Sequence, residues 1–392
     1  MLRNYNLKIR PVEMLLGLGL GLGYMTSLRF FGPIGIAELM VLIAIFLLFQ
    51  LVGKSIFRYE KNTAGLIKIY MILAVYLLLP FMTLVTSLFV GLKTDPQYII
   101  SFMMGITLSF LLVEALRTKK INMGNIVLWF AYAYIFTNII TILLFPSSLE
   151  SDRYTGAADN PNQLMFYASS ASLLLVIYHA KLSFILVPII TWITLKSASD
   201  AYTLTLFVTV AIYLFIFLLF GKRFSFGVGL SFAIMIGLSI LYFILTNYLE
   251  EIILIWQTAD QGGSRSSLLI HAYEVTLSSP IFGYGAGKYS GMEGTFQYWE
   301  AHNTYLDLSM QFGMVFPAII YFVFFAFLFN RIKYGFYLQA AFVAAFIVSG
   351  LFHFSGRHFF FWVEFAIFYY YVFYDKKTIY KNHNIAIKEH AK

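Results

Sequence analysis

The sequence predicts an all-α integral membrane protein of about twelve transmembrane helices, with a long extracytoplasmic loop between the ninth and tenth. Three observations carry this prediction. Of 392 residues, 60% are hydrophobic and only 12% charged, where soluble domains are about a quarter charged. Apolar runs recur along the whole chain, most of them close to the ~20 residues a spanning helix needs. Basic residues are concentrated in alternate connections between those runs. The 42 Phe and 28 Tyr suit side chains that face lipid and its interfaces. No cysteine is present, which removes disulfide frameworks, thiolate metal sites and a cysteine nucleophile from consideration.

In chain order the predicted segments are 13–29, 33–53, 65–91, 97–116, 124–145, 163–179, 182–196, 200–220, 226–246, 304–329, 335–355 and 358–374. The first follows Arg3, Lys8 and Arg10 in the manner of a signal peptide. No small-residue cleavage site leads from it into a soluble domain, so it reads as a retained helix. It is rich in glycine, at Gly17, Gly19, Gly21 and Gly23. The seventh is short and bracketed by Lys181 and Lys196; a re-entrant segment is the alternative there.

The charge pattern favours full crossing. With a cytoplasmic N-terminus, the outer connections hold Arg29, Lys93, Arg153, Lys196, Arg265, Lys288 and Arg357, which leaves 20 of the 27 basic residues inside. This is the positive-inside bias, and it holds on both sides of the short seventh segment. Both termini are therefore expected in the cytoplasm. The net charge of +8 belongs to a membrane surface, not to a nucleic-acid groove. Residues 1–392 read as a single polytopic domain without internal repeats. Two loops exceed a tight turn, 146–162 and 247–303, and both are expected outside.

Ionisable residues within membrane segments usually line a cavity or pathway. Glu38, Asp200, Asp307, His353, Arg357 and Glu364 all fall near the outer ends of their predicted helices, a pattern that suggests a polar cavity opening outward. Interfacial charges reaching headgroups would account for part of it. His353, Arg357 and Glu364 share similar helical faces if the helix runs on through them, in which case a structural ion-pair cluster is the plainer explanation.

In the first outer loop, Asn160-Pro161-Asn162 is a sound helix start, and Arg153 is either a solvated charge or a bidentate phosphate clamp. The second loop turns at Gly262-Gly263, continues through Arg265 into an amphipathic stretch Leu268–Leu277, breaks at Ser279-Pro280, and runs on through Gly283-Tyr284-Gly285-Ala286-Gly287 to Ala301-His302-Asn303. The amphipathic stretch is expected to lie along the membrane interface. The glycine run lacks the Gly-Lys-Ser/Thr ending of a nucleotide-binding loop, so its glycines point to tight backbone packing or close approach to a ligand. His302 is either an ordinary interfacial residue or a general base, because imidazole titrates near neutrality; Asp307, five residues on, is placed to orient it. No His-x-x-x-His or His-Glu-x-x-His spacing is present, and no metal site is predicted.

These residues together resemble the O-antigen ligase and Wzy-type polymerase family of integral membrane glycosyltransferases. The resemblance is carried by Arg265-Ser-Ser-Leu-Leu-Ile-His-Ala272, Pro280, Gly283-Tyr-Gly285-Ala-Gly287, His302-Asn303-Thr-Tyr-Leu306 and Gln311-Phe-Gly313, with Arg153, Gly156 and Asn160-Pro161-Asn162 upstream in the same order. Two departures stand out. Where the family often has a Ser-Arg pair opening a middle helix, this chain reads Lys196-Ser197-Ala198-Ser199-Asp200, and where a tryptophan often follows the arginine it has Leu269.

What the resemblance implies is glycosyl transfer without metal or other cofactor, at the outer face of a bacterial cytoplasmic membrane. The donor would be a glycan on undecaprenyl pyrophosphate, the lipid being the leaving group. His302 matches the position of the family's base, Arg153 and Arg265 those of pyrophosphate binders, and Lys196, Asp307 and Arg357 are accessory candidates. The expected partners are the lipid-linked glycan, membrane lipid, and the flippase and chain-length regulator of the same pathway. Within the family the reading favours a polymerase that joins lipid-linked repeat units into a capsule, exopolysaccharide or O-antigen, and a ligase that transfers the glycan to another acceptor is the alternative. A lipid-linked oligosaccharide flippase is the alternative from another class, although a transporter more typically places charges at the midplane.

Overall fold

The computed structural model describes residues 10–25, 29–31, 34–56, 58, 60–145, 154–156, 158, 161–196, 200–220, 264–290, 299–351 and 353–375. Helices dominate them: α1 (Pro11–Leu22), α2 (Ile36–Ile56), α3 (Thr63–Val90), α4 (Gln97–Arg117), α5 (Met123–Leu144), α6 (Pro161–Tyr178), α7 (Ala180–Leu195), α8 (Asp200–Phe220), α9 (Ser264–Ser278), α10 (Thr304–Phe312), α11 (Val315–Lys333), α12 (Tyr337–Ser349) and α13 (Phe359–Phe373). Five of these, α2, α3, α4, α5 and α11, are long and apolar enough to cross a membrane. The other apolar helices contribute shorter described stretches, 163–178 of α6 and 205–220 of α8 among them, and the chain is a multi-pass membrane protein. The predicted segment 226–246 lies outside the described residues.

Helix α2 shows why such helices suit lipid. One face, Ala37, Val41, Ala44, Leu48, Val52 and Ile56, is buried, while Leu39, Ile43, Phe46 and Phe49 are exposed. Water would penalise that outer face; lipid does not. Helix α3 carries an exposed stripe of the same kind at Leu66, Leu73, Leu77, Phe81, Leu84 and Leu88.

The helices depart from the predicted segments in several places. The first ends at Leu22, and the chain returns through a short antiparallel hairpin, β1 (Arg29–Phe31) and β2 (Ile34–Gly35). The third contains two π-helical turns, Ala74–Leu78 and Thr86–Val90. The expected helix 304–329 is broken at Gly313 into α10 and α11. Hydropathy is blind to such a break, because the apolar residues continue through it. Helix α7 is 16 residues long with Pro188 inside it, so it covers about 24 Å at 1.5 Å per residue.

The described chain divides into two compact units. Of the described residues, one unit comprises those up to 69 and those within 100–204 and 356–375; the other comprises those within 70–99 and 205–355. In the first, α1 packs against α5 and α2, and its glycines make that possible. A Cβ on Gly17 would fall 2.5 Å from the Ile126 carbonyl oxygen, and one on Gly21 would fall 2.7 Å from that of Phe130. Gly19 turns instead to α2, where a Cβ would meet Val41 at 2.9 Å. Small residues that let backbones approach are the usual contact of membrane helices, where dispersion and not water drives association. The buried Glu13 accepts hydrogen bonds from the Asn122 backbone N–H (2.8 Å) and Asn125 Nδ2 (2.7 Å), tying α1 to the start of α5.

In the second unit, α9, α10, α11 and α12 pack in succession, α9 on α10, α10 on α11 and α11 on α12. Helix α9 buries Leu268, Ala272, Val275 and Thr276 while exposing Ile270, Tyr273 and Leu277. Apolar residues therefore occupy two sides of it, with His271 and Glu274 paired at 3.4 Å beside them. Ala272 and Val275 form a small core with Tyr289, Ala301 and Met310, directly beneath the turn that carries His302.

Candidate functional site

The turn Ala301–His302–Asn303 enters α10, and its conformation is set by local chemistry. Asn303 is the N-cap: extended backbone, with its side-chain oxygen accepting the Leu306 N–H at 3.1 Å. Asp307, buried in the first turn of the helix, accepts the Ala301 N–H at 2.9 Å through one oxygen and the Asn303 N–H at 3.0 Å through the other. A carboxylate there is favoured by the helix dipole and satisfies donors the helix cannot. Asp307 thus clamps the backbone on both sides of His302.

Between those two clamped groups His302 adopts φ +53. The left-handed region costs a residue with a side chain about 1 kcal/mol, and a strained residue held by surrounding structure is a recurrent feature of functional sites. His302 is half-buried. Its ring lies parallel to that of His353, with 6.1 Å between centroids and 12° between planes.

The loop carrying His353 is fixed to α10 by Thr304. The Thr304 hydroxyl donates to the His353 carbonyl (2.6 Å) and accepts the Ser355 N–H (2.9 Å), with Ser355 Oγ also 2.9 Å away. The Thr304 N–H donates to the Gly350 carbonyl at 2.7 Å. Residues 350, 351 and 353–358 are not helical, so the shared face expected for His353, Arg357 and Glu364 does not form. Glu364 instead accepts a 2.6 Å hydrogen bond from Ser170 within the first unit.

A further carboxylate stands two residues before His302. Glu300 is buried and accepts a hydrogen bond from the Tyr98 hydroxyl. Tyr98 in turn packs edge-on against Phe354, 6.0 Å between centroids, and Phe354 follows His353. Glu300, Tyr98, Phe354, His353 and His302 therefore form a continuous chain of neighbours. Sequence reasoning singled out His302 and Asp307 but passed over Glu300 and Tyr98, because a loop carboxylate is ordinarily solvated and Tyr98 lies some two hundred residues away. Proximity to His302 in the chain was the available signal for Glu300.

The glycine run before the site supports it mechanically. Tyr284 and Gly285 donate their N–H groups to the carbonyls of Met310 (2.7 Å) and Gln311 (3.0 Å), and Met314 donates to Pro280 (2.7 Å). These bonds satisfy groups released by the break between α10 and α11. A Cβ on Gly285 would meet the Thr83 backbone nitrogen at 2.2 Å, and one on Gly313 would meet the Ile281 carbonyl oxygen at 2.0 Å; both residues have positive φ. Thr83 Oγ1 also accepts the Ala286 N–H at 2.8 Å, and the Ala286 carbonyl accepts the Asp95 N–H at 2.8 Å. Burial pushes the Tyr289 hydroxyl well above its ordinary pKa, and nearby Asp95 adds to the shift; that hydroxyl donates to Ala286 at 3.1 Å.

The other predicted residues fall as follows. Arg153 lies outside the described residues; Arg265 stands in the first turn of α9, and its side chain also lies outside them. Lys196 is exposed at the end of α7, its ammonium 6.0 Å from the Trp192 ring centroid. Its carbonyl accepts the N–H of Tyr154, the residue after Arg153, at 3.1 Å. Tyr154 anchors that loop by donating to Asn138 Oδ1 at 3.0 Å, and burial pushes its pKa up to about 12. Arg357 is half-buried in the first unit, ahead of α13.

An imidazole on a rigid turn, beside buried carboxylates and a second imidazole, can accept a proton from a hydroxyl brought to it. Comparison with protein-family models gives no match, and comparison with curated proteins gives none either.

Proposed function

We propose that this protein joins lipid-linked oligosaccharide repeat units into a surface polysaccharide, such as a capsule, exopolysaccharide or O-antigen, at the outer face of the bacterial cytoplasmic membrane. The observation that carries this reading is the His302 turn: a half-buried imidazole at positive φ, held between two backbone groups clamped by Asp307. In this reading about twelve helices cross the bilayer, both termini are cytoplasmic, and the loops 146–162 and 247–303 face outward, as the positive-inside bias supports.

The reaction needs three things from the chain. His302 takes the proton from the acceptor hydroxyl as its oxygen forms a bond to the anomeric carbon of the donor glycan. The bond from that carbon to the pyrophosphate oxygen breaks, and undecaprenyl pyrophosphate leaves with the electron pair. Arg153 and Arg265 neutralise the charge that develops on it, with Lys196 and Arg357 in reserve; arginine forks suit phosphate oxygens. Asp307 holds the base in place. A ligase that passes the finished glycan to a different acceptor would use the same steps.

The test is reconstitution in vesicles with lipid-linked repeat units, with chelator present and nucleotide sugar absent. Longer glycans on the carrier are the expected product. Normal chain growth by both His302→Ala and Arg265→Ala, at wild-type expression, would remove the assignment. Transport of the lipid-linked glycan without a new glycosidic bond would replace the reading with a flippase.

A further inference from the structure

We infer that His353 is a positioning residue for His302: its buried ring is the wall that fixes the direction in which the His302 imidazole points. This deepens the proposed function and rests on it for the chemistry, although the pairing itself does not. The two rings are parallel within 12° at 6.1 Å, inside the range of offset ring stacking. His353 is 3% exposed, so it is part of the packed frame and not a surface group. Its own placement is over-determined: Thr304 binds its carbonyl and the next residue but one, and Phe354 beside it is held by Tyr98. His302 by contrast is half-buried, on a backbone whose flanking N–H groups are clamped by Asp307. Asp307 thus fixes where the His302 backbone goes, and His353 limits how its ring turns. A base must be held within a narrow range of angles to work, and a group whose rotamer is locked by packing achieves that.

The experiment compares wild type with His353→Phe, which keeps a flat ring, and His353→Ala, which removes it. Carbethoxylation of His302 at one fixed pH is followed by mass spectrometry on the full-length protein in detergent, and kcat and KM are measured on lipid-linked repeat units. Wild type and His353→Phe should label at rates within about twofold of each other, and His353→Ala about threefold faster or more, because its imidazole swings freely. In the same series kcat should fall about 10- to 100-fold in His353→Ala with KM nearly unchanged, and return in His353→Phe. Should His353→Ala fail to accumulate, His353→Leu fills the volume without a flat ring and makes the same comparison. Equal labelling rates in all variants, or a His353→Phe protein as perturbed as the ringless one, would overturn the inference. If the labelling pattern holds while His302→Ala retains full activity, the pairing stands and the glycosyl-transfer reading fails.

Discussion

Helix α1 and the turns at Gly283–Gly287 and Gly313 both depend on glycine, and they use it for opposite purposes. In α1 the glycines remove volume so that two regular helices come into backbone contact: Gly17 and Gly21 meet α5, and Gly19 meets α2. In the turns they permit a conformation. Gly285 and Gly313 sit at positive φ with backbone pressed against them, which allows α10 to end, α11 to start, and the chain before Asn303 to be stitched between them. Glycine in the first region holds a scaffold together; in the second it breaks helical continuity so that a strained histidine can be presented.

This contrast predicts distinct phenotypes. The largest effect is expected from His302→Ala, which should lower chain growth about 100-fold or more, the range typical of a lost general base, while leaving the thermal unfolding of detergent-solubilised protein unchanged. A comparable loss of activity with a lowered melting temperature would move His302 into the scaffold. Next is Gly313→Ala, where a Cβ would lie 2.0 Å from the Ile281 carbonyl oxygen at φ +77. Overpacking and left-handed strain together should cost about 3 kcal/mol, read as loss of both folded yield and activity.

Gly17→Ala should be milder, about 1–3 kcal/mol, because two helices can slide apart where a turn cannot. Its signature is a lowered melting temperature with turnover per folded molecule preserved; an activity defect without destabilisation would break the division between the regions. The smallest effect is expected from Asp307→Asn. It keeps one acceptor but sets an amide donor against a backbone donor, a cost of about 1–2 kcal/mol, and should show as lower kcat together with a melting temperature lowered by only a few degrees.

Much of the helical scaffold was legible because its cause is local. Hydropathy located the helices at 36–56, 63–90, 97–117 and 123–144 to within a few residues, since each must be apolar throughout to sit in lipid. The helix starting at Pro161 was legible from proline's fixed φ. The break at Gly313 was not, because Phe312, Met314, Val315 and Phe316 continue the apolar run across it. The amphipathic character expected of 268–277 was only partly realised, since its exposed face is apolar too.

The candidate site divides in the same way. His302 and Asp307 are close in sequence, and an N-capping asparagine between them marks the helix start, so their association could be read directly. Glu300 with Tyr98, and His302 with His353, could not. Their partners are brought together by the hydrogen bonds from Thr304, at the start of α10, to Gly350, His353 and Ser355 and by the Tyr98 hydroxyl bonding to Glu300, and no spacing rule spans such separations. Composition, hydropathy and charge by themselves determined that this chain is a multi-pass helical membrane protein, because solvation by lipid acts residue by residue. Only the tertiary structure decided what surrounds His302, because a buried carboxylate, a stacked ring and a clamped turn depend on segments distant in the chain meeting in one place.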